Sequence, residues 1–364
     1  MSEPALALRK RRVLGLASDG VDGFGGIAEY NRSLIAAALN HAEIHLLVRH
    51  GGSLSQGALT QHAASAKLAF VRQAWQLTRV HKPEILWCGH LNYAPLCAWL
   101  ARRSNAQLWV QVHGIEAWSA PSRPLASALK QAALVTCVSR YSRERLLALN
   151  NLDPQRVRVL PDTFRAPAAI ATREVARTAL GIALNAKVLL AVGRMAAEEA
   201  YKGHDRVIAL LPELKQRFPD VLFAIAGSGS DAARLRALAD QLSVSDRVLW
   251  LGRLEDSGLA NAYSACDLFV LPSVGEGFGI VYLEAMAHGR VAIGLNEDGS
   301  ADPLSVNPGG VMSDRAGLLN VLTQQLAQLP PVGICEAVAE RFGSAVFARC
   351  VSHAFSHLEL ETTR

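Results

Sequence analysis

The feature that most restricts the fold of this chain is a regular alternation of strand-length apolar runs with helix-length segments. The runs contain few polar interruptions, which is typical of parallel strands covered on both faces. In the first half of the chain they occupy residues 12–18, 43–49, 84–89, 108–114, 134–139 and 157–162. In the second half they occupy residues 187–193, 222–227, 247–252, 267–273 and 291–296. Strand–helix alternation that occurs twice predicts two doubly wound α/β sheets.

The sequence between the two sets of strands indicates where the first domain ends. Residues 163–176 contain a proline, many alanines and no strong periodicity. We therefore predict one domain over residues 1–167 and a second over 168–345, followed by an amphipathic helix over 346–364. A chain of 364 residues suits two such domains better than one core.

Composition favours a cytoplasmic protein. The apolar runs are far shorter than the ~18 residues needed to span a bilayer. The first residues, MSEPALALRKRR, differ from a signal peptide because the short apolar stretch precedes the basic cluster. The six cysteines are scattered without a Cys-x-x-Cys pair, which predicts reduced and mostly buried thiols.

The two halves of the chain differ in the sign of their charge. Residues 1–165 hold 20 Lys and Arg against 10 Asp and Glu, whereas residues 166–364 hold 17 against 22. A basic half is compatible with nucleic acid, an anionic membrane or a phosphorylated substrate, and equally with an Arg-rich solvated surface.

Charged and small residues gather at the strand ends of the second half, where ligands bind in open α/β sheets. The strand at 187–193 is followed by Arg194 and, eight residues later, by Lys202. The next strand is followed by a Ser-Gly-Ser turn, and the strand at 267–273 by EGFGIVYLEAMAHG, which begins at Glu276. Two cations and helix N-termini with unpaired N–H groups predict a phosphate site.

Two glutamates, Glu276 and Glu284, lie beside this predicted phosphate site. A carboxylate only accepts hydrogen bonds, so it suits hydroxyl groups and not phosphate. The pattern therefore predicts a ligand with a diphosphate and two sets of hydroxyls, as in a nucleotide sugar. Each of these residues, taken singly, is more often an ordinary surface or turn residue, and their gathering at neighbouring strand ends favours the site. Since Asp-x-Asp and zinc-type spacings do not occur in the sequence, we expect Arg194, Lys202 and helix N-termini to neutralise the diphosphate without a metal.

The first half has a glycine-rich turn of its own, DGVDGFGGIAEYNRSL, after its first strand. The turn does not fit Gly-x-Gly-x-x-Gly, and no acidic residue ends the second strand, so a nicotinamide cofactor is a poor match. A backbone turn that faces an anion fits better. His113 ends another strand, and although a lone histidine is more often structural, its neighbours Gly114, Glu116 and Trp118 favour a functional position.

These motifs resemble those of family-four (group 1) glycosyltransferases, which are retaining enzymes of the GT-B fold, with two Rossmann-like doubly wound domains facing a central cleft. The resemblance covers nearly the whole chain. In the first half it rests on GGIAEYNRSL, VHGIEAW and VSRYSRERL. In the second half it rests on VGRMAAEEAYKGHDRVIALLP, AGSGSDAARLRALA, RVLWLGRL and DLFVLPSVGEGFGIVYLEAMAHG. It implies an acceptor-side first domain, a nucleotide-sugar-binding second domain and a last helix that crosses back to the first.

The resemblance also implies roles for individual residues. Arg194 and Lys202 would hold the donor diphosphate, and Glu284 would bind the ribose. Glu276 would meet the hydroxyls of the donor sugar, and His113 would lie near the reacting sugar. The implied catalytic set is His113, Arg194, Lys202 and Glu276. The backbone positions implied to approach the donor are Gly25, Gly26, Gly227, Gly277, Phe278 and Gly279.

One segment departs from the family pattern. Members commonly continue beyond the second glutamate with a glycine-rich turn and then a glutamate, whereas this chain reads RVAIGLNEDGSADPLSVNPGGVMSD. The turn Asp298–Gly299–Ser300 occupies that place, and the sequence assigns it no contact.

We therefore predict a metal-independent, retaining glycosyltransferase without a cofactor. It would move a hexose from a UDP-sugar or GDP-sugar to an acceptor hydroxyl on a lipid-linked, lipopolysaccharide or exopolysaccharide intermediate, with no nucleic acid as partner. Retention rests on the resemblance, since no candidate nucleophile requires it. Two alternatives stay open: a nucleotide-sugar epimerase of the same fold, and a non-catalytic nucleotide-sugar-binding protein.

The excess cations of the first half lie at residues 9–12 and around the segment AKLAFVRQAWQLTRVHK. This segment carries Leu68, Val71 and Trp75 at helical spacing, and we expect these three side chains to pack on the first sheet. Its four cations, Lys67, Arg72, Arg79 and Lys82, would attract an anionic leaflet. The sequence thus predicts reversible contact with the inner face of the cytoplasmic membrane.

Overall fold

The structure is a computed structural model that describes residues 9–360. Residues 1–8 and 361–364, at the ends of the first predicted domain and of the last predicted helix, lie outside the described residues. The chain divides into two units: unit 1 runs to Thr163 and resumes at Ser344, and unit 2 is Phe164–Gly343. The division thus falls at 164 and 344, where the sequence predicts 168 and 346.

Unit 1 is built around an eight-stranded sheet. Its strands are β1 (Arg11–Asp19), β2 (Ala42–His50), β3 (Leu54–Gln56), β4 (Leu59–Ala63), β5 (Ile85–Cys88), β6 (Gln107–Val112), β7 (Leu134–Cys137) and β8 (Val157–Val159). Its first helices are α1 (Gly26–Ala38), α2 (Lys67–His81), α3 (Ala94–Ser104), α4 (Arg123–Gln131) and α5 (Arg140–Leu149). The strand order is β3-β4-β2-β1-β5-β6-β7-β8, and only the β3–β4 pair is antiparallel. The order reverses between β1 and β5, which is where doubly wound sheets bind ligands.

Unit 2 repeats the design with a six-stranded parallel sheet. Its strands are β9 (Lys187–Val192), β10 (Val221–Ala226), β11 (Val248–Gly252), β12 (Leu268–Val270), β13 (Val291–Leu295) and β14 (Gly310–Ser313). Its helices are α6 (Arg173–Leu180), α7 (His204–Arg217), α8 (Ala232–Gln241), α9 (Asp256–Ala265), α10 (Ile280–Ala287), α11 (Ala301–Leu304), α12 (Leu318–Ala327) and α13 (Ile334–Phe342). The strand order is β11-β10-β9-β12-β13-β14, so the reversal lies between β9 and β12.

The last helix, α14 (Ser344–Leu360), belongs to unit 1. Its buried residues recur at helical spacing and form one apolar stripe. Phe355 packs edge-on against Trp109 of β6 with 5.8 Å between ring centroids. The His41 Nε2 atom lies 2.8 Å from the Ser352 hydroxyl, and Gln107 donates to the Leu358 carbonyl at 2.7 Å. The helix is therefore held by packing and by hydrogen bonds at two points of the sheet.

The predicted pair of doubly wound domains is confirmed, and each of the eleven apolar runs forms a strand. The sequence prediction missed β3, β4 and β14. These strands have three to five residues, and β4, read as LTQHA, mixes polar and apolar positions. Such short segments, at a sheet edge or next to it, lack the continuous apolar run by which the buried strands were identified.

The predicted packing of α2 on the sheet is wrong in one respect. The side chains that face the sheet are Phe70, Ala74 and Leu77, whereas Leu68 is 86% exposed and Val71 43% exposed. Of the three predicted side chains, only Trp75 is partly buried and packs against the core of unit 1. The helix carries two neighbouring apolar stripes, and only one can point inward at a time. The second stripe therefore lies on the surface of unit 1.

Within residues 9–360, no helix combines the length and the apolar character needed to cross a membrane. The six cysteines are free thiols. Four of them are buried and two are partly buried: Cys88, Cys97, Cys137 and Cys266, then Cys335 and Cys350.

Candidate functional site

The reversal point of the unit 2 sheet brings together two segments that are distant in the sequence. The chain leaves β9 at Gly193 and enters a short 3₁₀ turn, Ala197–Lys202, which ends at Lys202. The chain leaves the neighbouring strand β12 towards Glu276. Because β9 and β12 are parallel partners, both segments start from the same edge of the sheet.

Lys202 and Glu276 form an ion pair at this edge, with 2.6 Å between Lys202 Nζ and Glu276 Oε1. Their side chains are only 14% and 15% exposed. Burial acts to lower the pKa of Lys202, but the Glu276 carboxylate outweighs it, and the pKa is raised above its ordinary value. Lys202 is therefore a fixed, partly desolvated positive charge, with further N–H donors beyond the one that Glu276 accepts.

Arg194 follows β9 but is far more open to solvent than Lys202. Its side chain is 77% exposed, and its guanidinium pairs with the Glu199 carboxylate, which is 13% exposed. Glu199 lies in the same 3₁₀ turn as Lys202, so one short segment holds both predicted cations. Sequence reasoning did not identify Glu199, since a second glutamate beside Glu198 carries no distinguishing signal.

The small-residue turn after β10 packs directly under this segment. At Gly227, whose φ is +153°, a Cβ atom would collide with the Gly193 carbonyl oxygen. The turn also exchanges backbone hydrogen bonds with the segment after β9: Met195 N–H donates to Ser228 O at 3.0 Å, and Asp231 N–H donates to Met195 O at 2.7 Å. Gly227 thus serves the close approach of two strand ends, and any ligand contact at Gly227 stays a prediction.

The segment between Glu276 and α10 presents backbone donors. Gly279 has a φ of +94° and caps the N-terminus of α10. No acceptor among the described residues binds the N–H groups of Gly277, Phe278 and Gly279. The Phe278 side chain turns away into the core, where it is 2% exposed and packs edge-on against Phe342. Three N–H groups and the positive end of a helix dipole therefore lie beside Glu276, an arrangement that binds anionic or hydroxyl oxygens.

Glu284 lies one turn inside α10. Its Oε2 atom accepts a hydrogen bond of 2.7 Å from the hydroxyl of Tyr263, which is buried in α9. Burial first, and the Glu284 carboxylate second, raise the pKa of Tyr263 well above its ordinary value, so the phenol keeps its proton and donates. The ring of His288 stacks on Tyr263 with 5.2 Å between centroids. Tyr263 and His288 thereby orient Glu284, and nothing in the local sequence indicates this.

The glycine-rich turn of unit 1 is held by two side chains, Arg32 of α1 and Gln61 of β4. Arg32 Nη1 donates to the carbonyl oxygens of Val21 and Gly23 at 2.8 and 3.0 Å. Gln61 of β4 accepts from Val21 N–H at 2.9 Å and donates to Asp22 at 2.8 Å. The turn ends at Gly25 and Gly26, which begin α1. Gly25 has a φ of +93°, and nothing lies within 4 Å of the position that its Cβ would take.

His113 lies at the end of β6, partly buried. Its Nε2 atom is 2.9 Å from the Gly89 carbonyl oxygen, and its backbone N–H donates to Glu116 Oε1 at 2.6 Å. Because a carbonyl can only accept, Nε2 carries the proton and Nδ1 is left as an acceptor. Burial lowers the pKa of His113 although Glu116 acts in the opposite sense, so the ring is neutral at pH 7.

The predicted site residues therefore fall into separate groups. Within unit 2, Lys202 and Glu276 are in direct contact, Arg194 contacts Glu199, and Glu284 contacts Tyr263. Gly25, Gly26 and His113 lie at the corresponding strand ends of unit 1.

Two family profiles match consecutive parts of the chain. The profile described as Glycosyltransferase Family 4 matches residues 24–163, and that described as Glycosyl transferases group 1 matches residues 172–310. The first match lies within unit 1 and the second within unit 2.

Two of the similar proteins are mannosyltransferases. The GDP-mannose-dependent alpha-(1-6)-phosphatidylinositol monomannoside mannosyltransferase of Mycolicibacterium smegmatis is 32% identical over 255 residues, which cover 64% of each chain. This chain thus spans a little less than two thirds of that relative. The GDP-mannose-dependent monoacylated alpha-(1-6)-phosphatidylinositol monomannoside mannosyltransferase of Corynebacterium glutamicum is 26% identical over 351 residues, 88% of each chain.

Solved structures share the fold at low sequence identity. The sucrose-phosphate synthase of Thermosynechococcus elongatus has a TM-score of 0.78 at 19% identity, over 97% of this chain and 100% of that one. The Anabaena protein HepE in complex with UDP has a TM-score of 0.75 at 19% identity, over 95% and 99%. The chain belongs to the group 1 glycosyltransferases, glycosyltransferase family 4, and its two Rossmann-like units are those of the GT-B fold.

Proposed function

We propose that this protein transfers a hexose from a nucleoside diphosphate sugar to an acceptor hydroxyl, with retention of configuration and without a metal ion. The observation that carries the proposal is the Lys202–Glu276 pair at the reversal point of the unit 2 sheet. A buried cation and a carboxylate at one point suit a ligand that carries a phosphate next to a sugar. The N–H groups at the start of α10 lie beside the pair and add donors for the phosphate or sugar oxygens.

In this proposal each part of the donor has its own partner. Lys202 and Arg194 bind the diphosphate, Glu276 accepts from the hydroxyls of the sugar, and Glu284 accepts from the ribose hydroxyls. Negative charge grows on the leaving diphosphate as the bond between the sugar C1 and the phosphate oxygen breaks. Lys202, already partly desolvated, stabilises that charge without having to reorganise.

Retention follows if the acceptor hydroxyl attacks C1 from the face that the phosphate leaves. The hydroxyl oxygen then bonds to C1 while its proton passes to an oxygen of the departing diphosphate. His113 is neutral, with Nδ1 as an acceptor, so we assign it to a hydroxyl of the reacting sugar and not to the diphosphate.

For the acceptor we propose a lipid-linked sugar or polyol, since the similar mannosyltransferases are named for phosphatidylinositol acceptors. The surface of unit 1 offers a place to meet a membrane, which we call the α2–α3 face. It consists of Leu68, Val71, Arg72, Trp75 and Arg79 on α2 with Trp99 and Arg103 on α3.

The α2–α3 face combines apolar side chains with cations; Leu68, Val71 and Trp99 are exposed, and Trp75 is partly buried. Trp75 and Trp99 pack with 5.1 Å between ring centroids. Arg79 lies 6.0 Å from the Trp75 ring and Arg103 lies 5.3 Å from the Trp99 ring. Aromatic rings with cations above them suit the headgroup region of a bilayer, where each cation near an anionic leaflet contributes roughly 1 kcal/mol.

Vesicle sedimentation tests the membrane part of the proposal. We expect binding to anionic vesicles, little to neutral vesicles, and release by salt. Leu68→Ser and the triple change of Arg72, Arg79 and Arg103 to Gln should each weaken binding. Leu329→Ser is the matched control, since Leu329 of unit 2 is 92% exposed without belonging to this face. Equal sedimentation with both kinds of vesicle, or with neither, would leave a soluble acceptor as the better proposal.

A thermal-shift panel followed by a turnover assay tests the reaction. A UDP-sugar or GDP-sugar present at a hundredfold its dissociation constant should stabilise the protein by about 2.7 kcal/mol. The donor so identified should be consumed only when an acceptor is present, with an α-linked product from an α-linked donor. Conversion of the donor to its epimer without acceptor would favour the epimerase, and binding without any turnover would favour a nucleotide-sugar-binding protein.

Chelation tests the metal-free part separately. Activity should survive EDTA, because Lys202, Arg194 and the N–H groups of α10 supply the countercharge. Complete loss with EDTA that a divalent ion restores would disprove it.

A further inference from the structure

The turn after β13 contains a buried carboxylate. Asp298 is 1% exposed, and both of its oxygens accept hydrogen bonds. Asp298 Oδ2 accepts from the backbone N–H of Glu276 at 2.7 Å. Asp298 Oδ1 accepts from the N–H of Ser300 at 2.9 Å and from its hydroxyl at 2.6 Å. The side chain therefore joins its own turn to the segment that carries the candidate sugar-binding glutamate.

The contact is reciprocal. The N–H of Gly299 donates to the carbonyl oxygen of Glu276 at 2.9 Å, so neighbouring residues of one turn hold both backbone groups of Glu276. A Cβ atom on Gly299 would collide with the Gly277 carbonyl oxygen. Only glycine allows this approach, and the two segments are consequently in close backbone contact.

A carboxylate is unusual at a buried position that links two segments of the chain, because burying its charge has a substantial free-energy cost. It has one advantage over an amide: both of its oxygens accept. Asparagine at this position would direct an NH₂ group at either the Glu276 N–H or the Ser300 N–H, and two donors would face each other. The observed geometry uses both oxygens as acceptors, as an ionised carboxylate requires.

We infer that Asp298 is a positioning residue for the sugar-transfer step: it fixes the backbone of Glu276 and thereby aims the Glu276 side chain. This inference rests on the proposed role of Glu276. The Glu276 carboxylate lies 2.6 Å from Lys202 Nζ, so a small rotation of its backbone moves it relative to that charge. Misplacement of a reacting group by about 1 Å can lower a rate about 100-fold. The ribose contact, assigned to Glu284 inside α10, does not involve the hydrogen bond between Asp298 and Glu276.

Three measurements on Asp298→Asn test the inference. The kcat for transfer should fall about 10- to 100-fold. The calorimetric affinity for the free nucleoside diphosphate should stay within about twofold of the unchanged protein, since the proposed ribose contact does not involve Asp298. Hydrogen exchange in the peptide that contains Glu276 should accelerate, because the asparagine NH₂ group faces either the Glu276 amide or that of Ser300 and weakens the hold of the turn on Glu276 in both orientations.

Glu297→Gln is the matched control. Glu297 is the adjacent carboxylate in the same turn, but it pairs with Arg315 at the surface. This variant should keep the kcat, the nucleotide affinity and the exchange pattern of the unchanged protein. Ser300→Ala, which removes one bond to Asp298 and leaves the Glu276 bond in place, should lower kcat by an intermediate factor, about three- to tenfold. If Asp298→Asn does not fold, Ser300→Ala decides the question by the same three measurements.

Two results would overturn the inference. One is unchanged kcat together with unchanged exchange of the Glu276 amide in the folded variants. The other is a parallel loss of kcat and nucleotide affinity, which would indicate a general structural role. If the unchanged protein transfers no sugar, the proposed function fails by that result, and the exchange measurement still decides whether Asp298 holds Glu276.

Discussion

The two units place their candidate residues at equivalent points of equivalent sheets, but the chemistry there differs. In unit 2 the reversal between β9 and β12 holds a buried ion pair, Lys202 with Glu276. In unit 1 the reversal between β1 and β5 holds a backbone turn and a neutral imidazole, His113. Arg32, which reaches the unit 1 turn, is bonded to carbonyl oxygens of the turn and to Glu29.

The distribution of site cations between the units is the opposite of the distribution of net charge between the two halves of the chain. Residues 1–165 are strongly basic and residues 166–364 are acidic, yet the fixed cations of the candidate site lie in the acidic half. Cations of the basic half lie instead on surfaces such as the α2–α3 face. The net charge of a region therefore does not predict the charge of its binding site, because only the few side chains at the strand ends form the site.

The largest effect should come from removing the buried cation of unit 2. Lys202→Ala should lower kcat about 100- to 1,000-fold, because a group aimed at developing charge supplies about 3–4 kcal/mol. Arg194→Ala should have a smaller effect, since the Arg194 side chain is 77% exposed. Steady-state kinetics at saturating donor measures both. Lys215→Ala is the control, a lysine of the same unit with a surface partner 3.7 Å away. Near-normal turnover of Lys202→Ala would contradict the assignment of the main catalytic cation to unit 2.

The stability of unit 2 should depend on a histidine beside this cation. Burial first, and the Lys202 charge second, lower the pKa of His204 to about 4. A histidine whose pKa is depressed in the folded state contributes stability above pH 6.5 that is lost as pH falls towards 4. The loss amounts to about 3 kcal/mol.

Urea unfolding between pH 4 and pH 8 measures this dependence on acid. His204→Gln should flatten the acid side of the profile, whereas His353→Gln, at an exposed position of α14, should leave it unchanged. If the free energy of unfolding falls equally with acid in the unchanged protein and in both variants, a group other than His204 causes the fall. One candidate is the cluster of His45 and His62 in unit 1, where burial and His81 lower both pKa values.

The two glutamates of unit 2 should separate by the part of the donor that they bind. Glu276→Gln should lower kcat by about 2 kcal/mol of transition-state stabilisation, roughly 30-fold, and leave the affinity for UDP or GDP nearly unchanged. Glu284→Gln should weaken the binding of the free nucleoside diphosphate by a similar free energy. Calorimetry and kinetics on both variants give the comparison. Equal loss of nucleotide affinity in the two variants would mean that they share one role.

The smallest effect should arise in unit 1, where we expect the turn to contribute to donor binding through its backbone conformation. Arg32→Lys keeps the charge but loses the planar guanidinium, whose Nη1 binds the Val21 and Gly23 carbonyl oxygens while Nε and Nη2 bind Glu29. We expect the KM for the donor to rise about fivefold, equivalent to about 1 kcal/mol, with kcat unchanged. Arg145→Lys, at an exposed position of α5, should change neither constant. A fall in kcat as large as that of Lys202→Ala would show that unit 1 contributes more than shape.

Much of the fold was predictable because it is encoded locally. A continuous apolar run such as Leu134–Cys137 stays a strand in any arrangement that covers both of its faces, so periodicity and turn residues sufficed to find it. The short strands β3, β4 and β14, which lie at a sheet edge or next to it, were missed because their pairing depends on the sheet that they join. For α2 the sequence offers two apolar stripes, and only the position of the sheet selects Phe70 over Leu68.

The sequence by itself determined which residues stand at the strand ends: Arg194, Lys202, the Glu276–Glu284 spacing, and His113. It could do so because the end of a strand and the start of a helix are local events, and the strand ends of a parallel sheet share one edge. Only the tertiary structure decided which of these residues touch. Lys202 and Glu276 are in contact although 74 positions separate them in the sequence. Asp298, 22 positions from Glu276, accepts a hydrogen bond from the Glu276 backbone N–H. Such contacts depend on strand order and on backbone approaches of a few ångströms, and neither leaves a periodic trace in the sequence.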